Sequence, residues 1–280
     1  FDEAIEALVR HGPGAKLLAG GASLIPLMKL RLAEPSHLVD LNRIADAGYV
    51  LETDGGVAIG PLLREAELGA SPLVRERYPI LIDATSVIAD PSVRNMGTVV
   101  GNIAHGDPAN DHPAVMLALG AEVELQGPSG RRTVAVDDFF VGLFETAVEP
   151  EEVVVELRLP APEPGTGGAY VKFERQVGDY AMAGAGAVIR VDGGRIVYAR
   201  IALTNAGATP VRAAAAESAL AGRAVDDGDL IHDAGAAARD GIEPWSDLRG
   251  SAELKQRLAG VAVERALALA IRRAGGGTDA

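Results

Sequence analysis

The 280-residue chain contains no cysteine. That excludes a disulfide framework, and it excludes any thiolate-held metal or iron–sulfur cluster supplied by this chain. Aromatic residues are scarce at 4%, so a core has to be assembled from Ala, Val, Leu and Ile, of which the 48% apolar content provides enough. Positive charge is also short: 26 Lys and Arg stand against 39 Asp and Glu, for a net charge of −13. Such a balance argues against nucleic acid or an anionic membrane as a partner. No charge-free apolar run is long enough to span a bilayer. Residues 1–20 lack the basic start and apolar run of a secretory signal, so a cytoplasmic protein is expected. The five histidines, at positions 11, 37, 105, 112 and 232, form no triad pattern, and no catalytic acid, base or nucleophile is assigned. The G-x-G-x-x-G fingerprint after a strand is missing, which removes a Rossmann dinucleotide site.

What is present is a mixture of periodicities. Residues 2–11 read as a helix, capped by Asp2, with Ile5, Leu8 and Val9 on one face and Gly12 at its end. Ser23 is positioned to cap a helix running to about Leu32. Leu38–Leu41 reads as a buried strand. Tyr49–Thr53 and Val57–Ile59 flank Asp54-Gly55-Gly56 as a hairpin. A helix over Pro79–Asp90 precedes a turn-rich stretch, Pro91–Pro113, and a short helix, Ala114–Leu119. A second hairpin joins Glu122–Leu125 to Thr133–Val136, and Val153–Leu159 is a further strand. The segment PAPEPGTGG, Pro160–Gly168, can continue neither strand nor helix and marks a domain boundary. The first domain is therefore placed at residues 1–160 and the second at 169–280. The second opens with a strand, Ala169–Val177, and a hairpin of Ala187–Val191 with Ile196–Leu203 around Asp192-Gly193-Gly194. Ala-rich helices follow at Val211–Leu220, Asp229–Arg239 and Glu253–Arg273, with a frayed GGGTDA tail. This order suits an α+β architecture better than a doubly wound sheet.

Two glycine loops carry the chemistry. The first, AGGASLIPLMKLRL from Ala19, places Gly20 and Gly21 between an apolar run and a helix. Its backbone can approach a ligand closely, and Ser23 adds a hydroxyl donor; spacing alone favours an ordinary strand–turn–helix joint with Ser23 as N-cap. The second, RNMGTVVGNIAHGDPANDHPA from Arg94, is dense in small donor-rich residues. Thr98 and Asn102 suit phosphate oxygens, and Asp107 or Asp111 suits sugar hydroxyls. A metal reading of His105, Asp107, Asp111 and His112 lacks an organising spacing, and a long turn held by Asx and Pro chemistry remains the plain alternative.

The two loops in this order are AGGASLIPLMKLRLAEPSHLVDLNRI and ADPSVRNMGTVVGNIAHGDPANDHPA. With KFERQVGDYAMAG, GPSGRRTV and ALTNAGATPVRA, they resemble the FAD-binding medium subunits of aerobic carbon monoxide dehydrogenases, within the xanthine dehydrogenase superfamily. The likeness spans nearly the whole chain. It implies a two-lobed FAD-binding domain of the xanthine dehydrogenase/vanillyl-alcohol oxidase type, then a C-terminal domain of antiparallel sheet plus helices. By the same resemblance Ala19, Gly20, Gly21, Ala22 and Ser23, extended by Leu24 and Ile25, wrap the FAD pyrophosphate with Thr98, Val99, Val100, Gly101 and Asn102. His105 and Asp111 lie beside the cofactor, Lys172 approaches it from the second domain, and Asp179 and Tyr180 match the segment near the isoalloxazine. The implied role is electron transfer in a molybdenum hydroxylase. The partners would be a molybdenum–pterin large subunit and an iron–sulfur small subunit, in a dimer of heterotrimers. Electrons would pass to a quinone or another acceptor, and the membrane's inner face would be reached only through the complex. A purine, N-heterocycle or aldehyde hydroxylase is the alternative within the family, and a non-catalytic nucleotide-binding module is the alternative outside it. Two departures stand out. Val100 occupies a position that is usually glycine, where a β-branched residue tolerates positive φ poorly, and Ala22 replaces a polar residue.

Overall fold

The computed structural model describes residues 1–276, and the tail expected to fray lies, from residue 277 onward, outside the described residues. Helix α1 (Asp2–His11) buries Ala4, Ile5 and Leu8, while Val9 stays 48% exposed, so the expected Ile5–Leu8–Val9 face is narrower than its spacing suggested. Phe1 rather than Asp2 holds the N-cap position, and Gly12 closes the helix at φ 68°. Strand β1 (Ala15–Leu18) pairs in parallel with β2 (His37–Asp40) across α2 (Leu24–Lys29). The strand expected to be buried is not: Leu38 is 42% exposed, and only Leu41 beyond it is buried, because this two-stranded sheet leaves one face open. Helix α2 also stops short of Leu32. Ser23 makes no capping bond, and the amides of Leu32 and Ala33 both fold back onto the Leu27 carbonyl.

The second lobe is a five-stranded antiparallel sheet in the order β3-β4-β9-β5-β6. Strands β3 (Val50–Thr53) and β4 (Gly56–Ile59) form the first expected hairpin. Helices α3 (Glu65–Ala70), α4 (Pro72–Arg77) and α5 (Pro79–Val87) follow. The stretch read as turn from Pro91 to Pro113 contains α6 (Pro91–Met96), α7 (Val99–Ala104) and the start of α8 (Asp111–Leu119). Helix α8 has no amphipathic stripe because it is enclosed: Asp111 through Ala118 are all buried. Its composition at the start, Asp-His-Pro, reads locally as a turn, and only the surrounding structure gives those polar groups partners. Strands β5 (Glu122–Gly127) and β6 (Gly130–Ala135) form the second hairpin. The short ribbon of β7 (Phe140–Gly142) and β8 (Glu145–Thr146) and the central strand β9 (Val153–Pro160) complete the lobe.

The remainder is an antiparallel sheet, β10-β11-β12-β13, covered by helices. Strand β10 (Thr166–Glu174) begins inside the expected linker and three residues ahead of the expected strand. Strands β11 (Ala181–Asp192) and β12 (Arg195–Thr204) are joined by Gly193-Gly194, both at positive φ as a tight hairpin turn requires. A two-residue strand β13 (Val211–Arg212) precedes α9 (Ala214–Leu220), where one helix from Val211 was expected; α10 (Leu230–Ala237) and α11 (Ala252–Ile271) follow. The low aromatic content is resolved here. Ala259, Ala262, Ala266 and Ala270 of α11 pack against Ala183, Ala185 and Ala187 of β11, so small side chains bring helix and sheet close. The fold is thus α+β, with a parallel ribbon and an antiparallel five-stranded sheet in front of an antiparallel sheet-and-helix unit.

These units share surfaces. Tyr170, Val188 and Ala202 of the second sheet belong to the same apolar core as α5, α8 and β9. Asp83 of α5 accepts from the Tyr170 amide at 3.1 Å and pairs with Arg273 at 2.5 Å. The Asn205 amide donates to the Pro108 carbonyl at 2.7 Å, fastening the end of β12 to the second glycine loop.

Candidate functional site: two interlocked glycine loops under the second sheet

The first loop lies directly on the second. A β-carbon at Gly20 would stand 2.4 Å from the Met96 carbonyl oxygen, 2.7 Å from Gly97 Cα and 2.8 Å from the Thr98 amide nitrogen. Only a residue without a side chain allows that approach. Gly97 in turn faces Ala22. The amides of Gly21, Ala22, Ser23 and Leu24 have no acceptor among the described residues, and they follow one another around the loop. Consecutive unpaired amides form a concavity suited to an anion. The junction is reinforced by side chains the sequence reading missed. Arg64 donates to Asn42 Oδ1 at 2.6 Å and to the Met96 carbonyl, and Asn42 Nδ2 donates to the Ala19 carbonyl at 2.8 Å. Their separations of 22 to 32 residues left no local signal; only Asn42, in a turn with Asp40, was locally legible.

Thr98 is buried and caps α7, its hydroxyl accepting from the Gly101 amide at 3.1 Å. Val99 and Val100 follow as helical residues whose side chains enter the core at 0% and 3% exposure. The concern over Val100 therefore disappears, because this position needs neither positive φ nor an extended conformation, and any ligand contact by Val99 or Val100 is through backbone. Asn102 Oδ1 is buried without a hydrogen-bond partner. Such an atom calls for a donor, and the described residues provide none.

Around these loops the titratable groups are parcelled out. His105 is half-buried with its ring 5.3 Å from that of Phe144; burial lowers its pKa. Asp107 closes its own turn on the Ala109 amide. His112 Nε2 meets Glu65 Oε2 at 2.7 Å, both fully buried; burial opposes the imidazolium, but the Glu65 carboxylate prevails and raises the His112 pKa. Asp111 accepts from the Tyr170 hydroxyl at 2.6 Å and from Lys172 Nζ at 3.0 Å. Burial raises the Asp111 pKa against the opposing pull of Lys172, and burial beside Asp111 drives the Tyr170 phenol well up. The four polar residues weighed as metal ligands are thus engaged separately, with no partner shared among them. No cluster of three or more acidic or histidine groups able to hold a metal ion occurs among the described residues.

The Lys172 side chain is 2% exposed. Its ammonium is held by the Val87 carbonyl, Asp111 and Glu174 at 3.0, 3.0 and 3.4 Å, which ties β10 to α5 and α8. Tyr180 is 42% exposed at the rim, and enclosure with the nearby Asp107 carboxylate raises its pKa. The structure thus brings residues 19–25 against 96–102, and Lys172 against Asp111, while Tyr180 stands at the edge in reach of the field of Asp107. No helix among the described residues is long and apolar enough to cross a membrane.

A two-lobed unit with paired glycine loops, backed by an antiparallel sheet-and-helix unit, defines a cofactor-binding module with a cradle suited to an anion. Residues 1–162 match the FAD-binding domain of molybdopterin dehydrogenases, and residues 168–270 match the C-terminal domain of the carbon monoxide dehydrogenase flavoprotein. The chain is 48% identical over 265 residues to the carbon monoxide dehydrogenase medium chain of Hydrogenophaga pseudoflava, covering 95% of this chain and 92% of that protein. It is 37% identical to the 6-hydroxypseudooxynicotine dehydrogenase complex subunit alpha of Paenarthrobacter nicotinovorans, covering 98% and 92%. The solved carbon monoxide dehydrogenase of H. pseudoflava superposes with a TM-score of 0.94 at 49% identity, over 97% of this chain and 94% of that one. The chain belongs to the FAD-binding medium subunits of the carbon monoxide dehydrogenase family of molybdenum hydroxylases. It is an oxidoreductase subunit, and FAD is its cofactor.

Proposed function

We propose that residues 1–160 hold FAD and that residues 169–280 close the site. The loops Ala19–Ile25 and Thr98–Asn102 would hold the pyrophosphate, chiefly through the unpaired amides of Gly21–Leu24, with His105 and Asp111 beside the cofactor and Lys172 and Tyr180 contributed by the second domain. The observation that carries this reading is the Gly20 contact: two loops interlocked backbone to backbone, with consecutive unpaired amides at the junction. The buried, unpartnered Asn102 Oδ1 fits a ligand donor there. When bound, the flavin supplies the redox chemistry and exchanges electrons singly or in pairs. The chain's own part is to bind, orient and exclude water. Lys172 already donates to two acceptors and faces the Glu174 carboxylate, so its influence on a bound anion would come through charge and through fixing Asp111 rather than by direct donation.

The assembly we infer has a molybdenum–pterin large subunit and an iron–sulfur small subunit, as a dimer of heterotrimers. It would oxidise carbon monoxide and deliver electrons to a quinone or another acceptor. The cytoplasm is the proposed location, with any membrane contact at its inner face made through the complex. The absence of cysteine supports the division of labour, since clusters must come from another chain. The second reading keeps the same flavin role in an N-heterocycle, purine or aldehyde hydroxylase, favoured by the 37% identical relative. The non-catalytic module loses its motive once Val100 is helical.

The test is an absorbance spectrum of the purified chain before and after FAD addition, with the nucleotide released by heat identified and counted. A flavin spectrum near one FAD per chain is expected; no uptake even with partner subunits present would overturn the reading. Flavin bleaching in the assembled complex by carbon monoxide, against bleaching only by a heterocycle or aldehyde, separates the two substrate classes.

A further inference from the structure

Tyr180 follows Asp179 in the loop that joins β10 to β11. One oxygen of Asp179, Oδ1, accepts from the Tyr180 amide at 2.8 Å and from Arg249 Nε at 3.0 Å, with Arg249 Nη2 at 2.9 Å. A single atom therefore fixes the tyrosine backbone and the guanidinium together. The guanidinium carbon stands 5.3 Å from the Tyr180 ring centroid, inside cation–π range. With that side occupied, the 42% exposure of Tyr180 belongs to what the guanidinium leaves free.

Arg249 is itself held firmly. Asp247 Oδ1 accepts from the Arg249 and Gly250 amides at 2.8 and 3.2 Å, and Asp247 Oδ2 receives Lys255 Nζ at 2.8 Å. Lys255 is 1% exposed at the start of α11, so this turn is anchored in the core. From the other side, Arg175 donates to the Leu248 carbonyl at 2.8 Å. The tyrosine loop also rests on the first domain, where Gly178 packs against the Ala89 carbonyl. Burial and the fields of Asp107, Asp179 and Asp111 raise the Tyr180 pKa, and the Arg249 cation opposes them.

We infer that Arg249 is a positioning residue that holds the Tyr180 ring from behind and presents its open face to a planar aromatic ligand, the flavin ring. The inference rests on the reading that Tyr180 borders the flavin. A half-exposed Arg–Asp pair adds little to stability, so the effect of Arg249 is expected in the ring's orientation. A tyrosine stacked on a flavin quenches its fluorescence, which gives a readout independent of turnover. Releasing the ring from a cation–π contact changes its held population by about two- to fivefold.

The experiment uses the FAD-loaded chain in its complex, comparing wild type, Arg249→Ala, Arg249→Lys, Tyr180→Ala and the double Ala variant. FAD per chain, fluorescence per bound FAD, visible circular dichroism and melting temperature are measured. Arg249→Ala is expected to keep its FAD while fluorescence per flavin rises about two- to fivefold, Arg249→Lys to recover part of the quenching, and the double variant to match Tyr180→Ala. Should Arg249→Ala melt early, Arg249→Gln takes its place. Unchanged fluorescence in Arg249→Ala and Arg249→Gln, beside a rise in Tyr180→Ala, overturns the positioning role alone. No change in Tyr180→Ala removes Tyr180 from the flavin and the inference with it, while an absence of FAD in the wild type overturns the binding reading itself.

Discussion

Replacing Gly20 by alanine is the sharpest single perturbation of the proposed site. The new methyl would sit 2.4 Å from the Met96 carbonyl oxygen and under 3 Å from Gly97 Cα and the Thr98 nitrogen. All three are backbone atoms, so no rotamer change relieves the clash and the loops have to separate. Overpacking of this kind costs about 1–3 kcal/mol. If the strain is released by parting the loops in the free protein and reimposed by the ligand, FAD binding weakens by roughly 5- to 150-fold. Gly55→Ala is the control, since its β-carbon meets nothing within 4 Å and its φ is ordinary. The assay is fluorescence titration of flavin-depleted protein with FAD, alongside thermal melting. Gly20→Ala is expected to lose affinity, with Gly55→Ala indistinguishable from wild type in both. Wild-type affinity in Gly20→Ala would refute the idea that the interlocked loops form the cradle.

The remaining predictions concern the buried charges. His112→Ala strands the Glu65 carboxylate in the core and should destabilise by about 3–5 kcal/mol, checked by urea unfolding; a loss under 1 kcal/mol would contradict the buried pair. Because the His112 pKa is raised in the fold, its pairing contributes full stability below the unfolded value of about 6.5 and loses it as pH rises through the folded value. The stability gap between wild type and Glu65→Gln should therefore narrow with pH above about 6.5, and a widening gap would reverse the assigned sign. Lys172→Met should cost about 3–5 kcal/mol by leaving Asp111 and Glu174 without their cation, and Asp111→Asn in the same chain should recover part of it. Strict additivity of the two changes would show that they do not interact.

The sequence determined the parts whose causes lie within a few residues. Hairpin turns at Asp54-Gly55 and Gly193-Gly194, the Pro79 helix start and the break after Pro160 are legible because turn and cap chemistry is local. The order of the two glycine loops carried the family and hence FAD. Where local and tertiary preferences conflict, the sequence misled. Asp111-His112-Pro113 reads as turn until Tyr170, Lys172 and Glu65, arriving from 47 to 61 residues away, supply the partners that let those groups begin a buried helix. Leu38 reads as core, yet a two-stranded ribbon has no second layer to cover it. The cradle itself depends on Gly20 meeting Met96–Thr98, on Arg64 spanning Asn42 and Met96, and on Arg249 backing Tyr180. No pattern in one segment encodes such contacts, since each needs two distant pieces of chain at a fixed separation, and only the packed core supplies that distance.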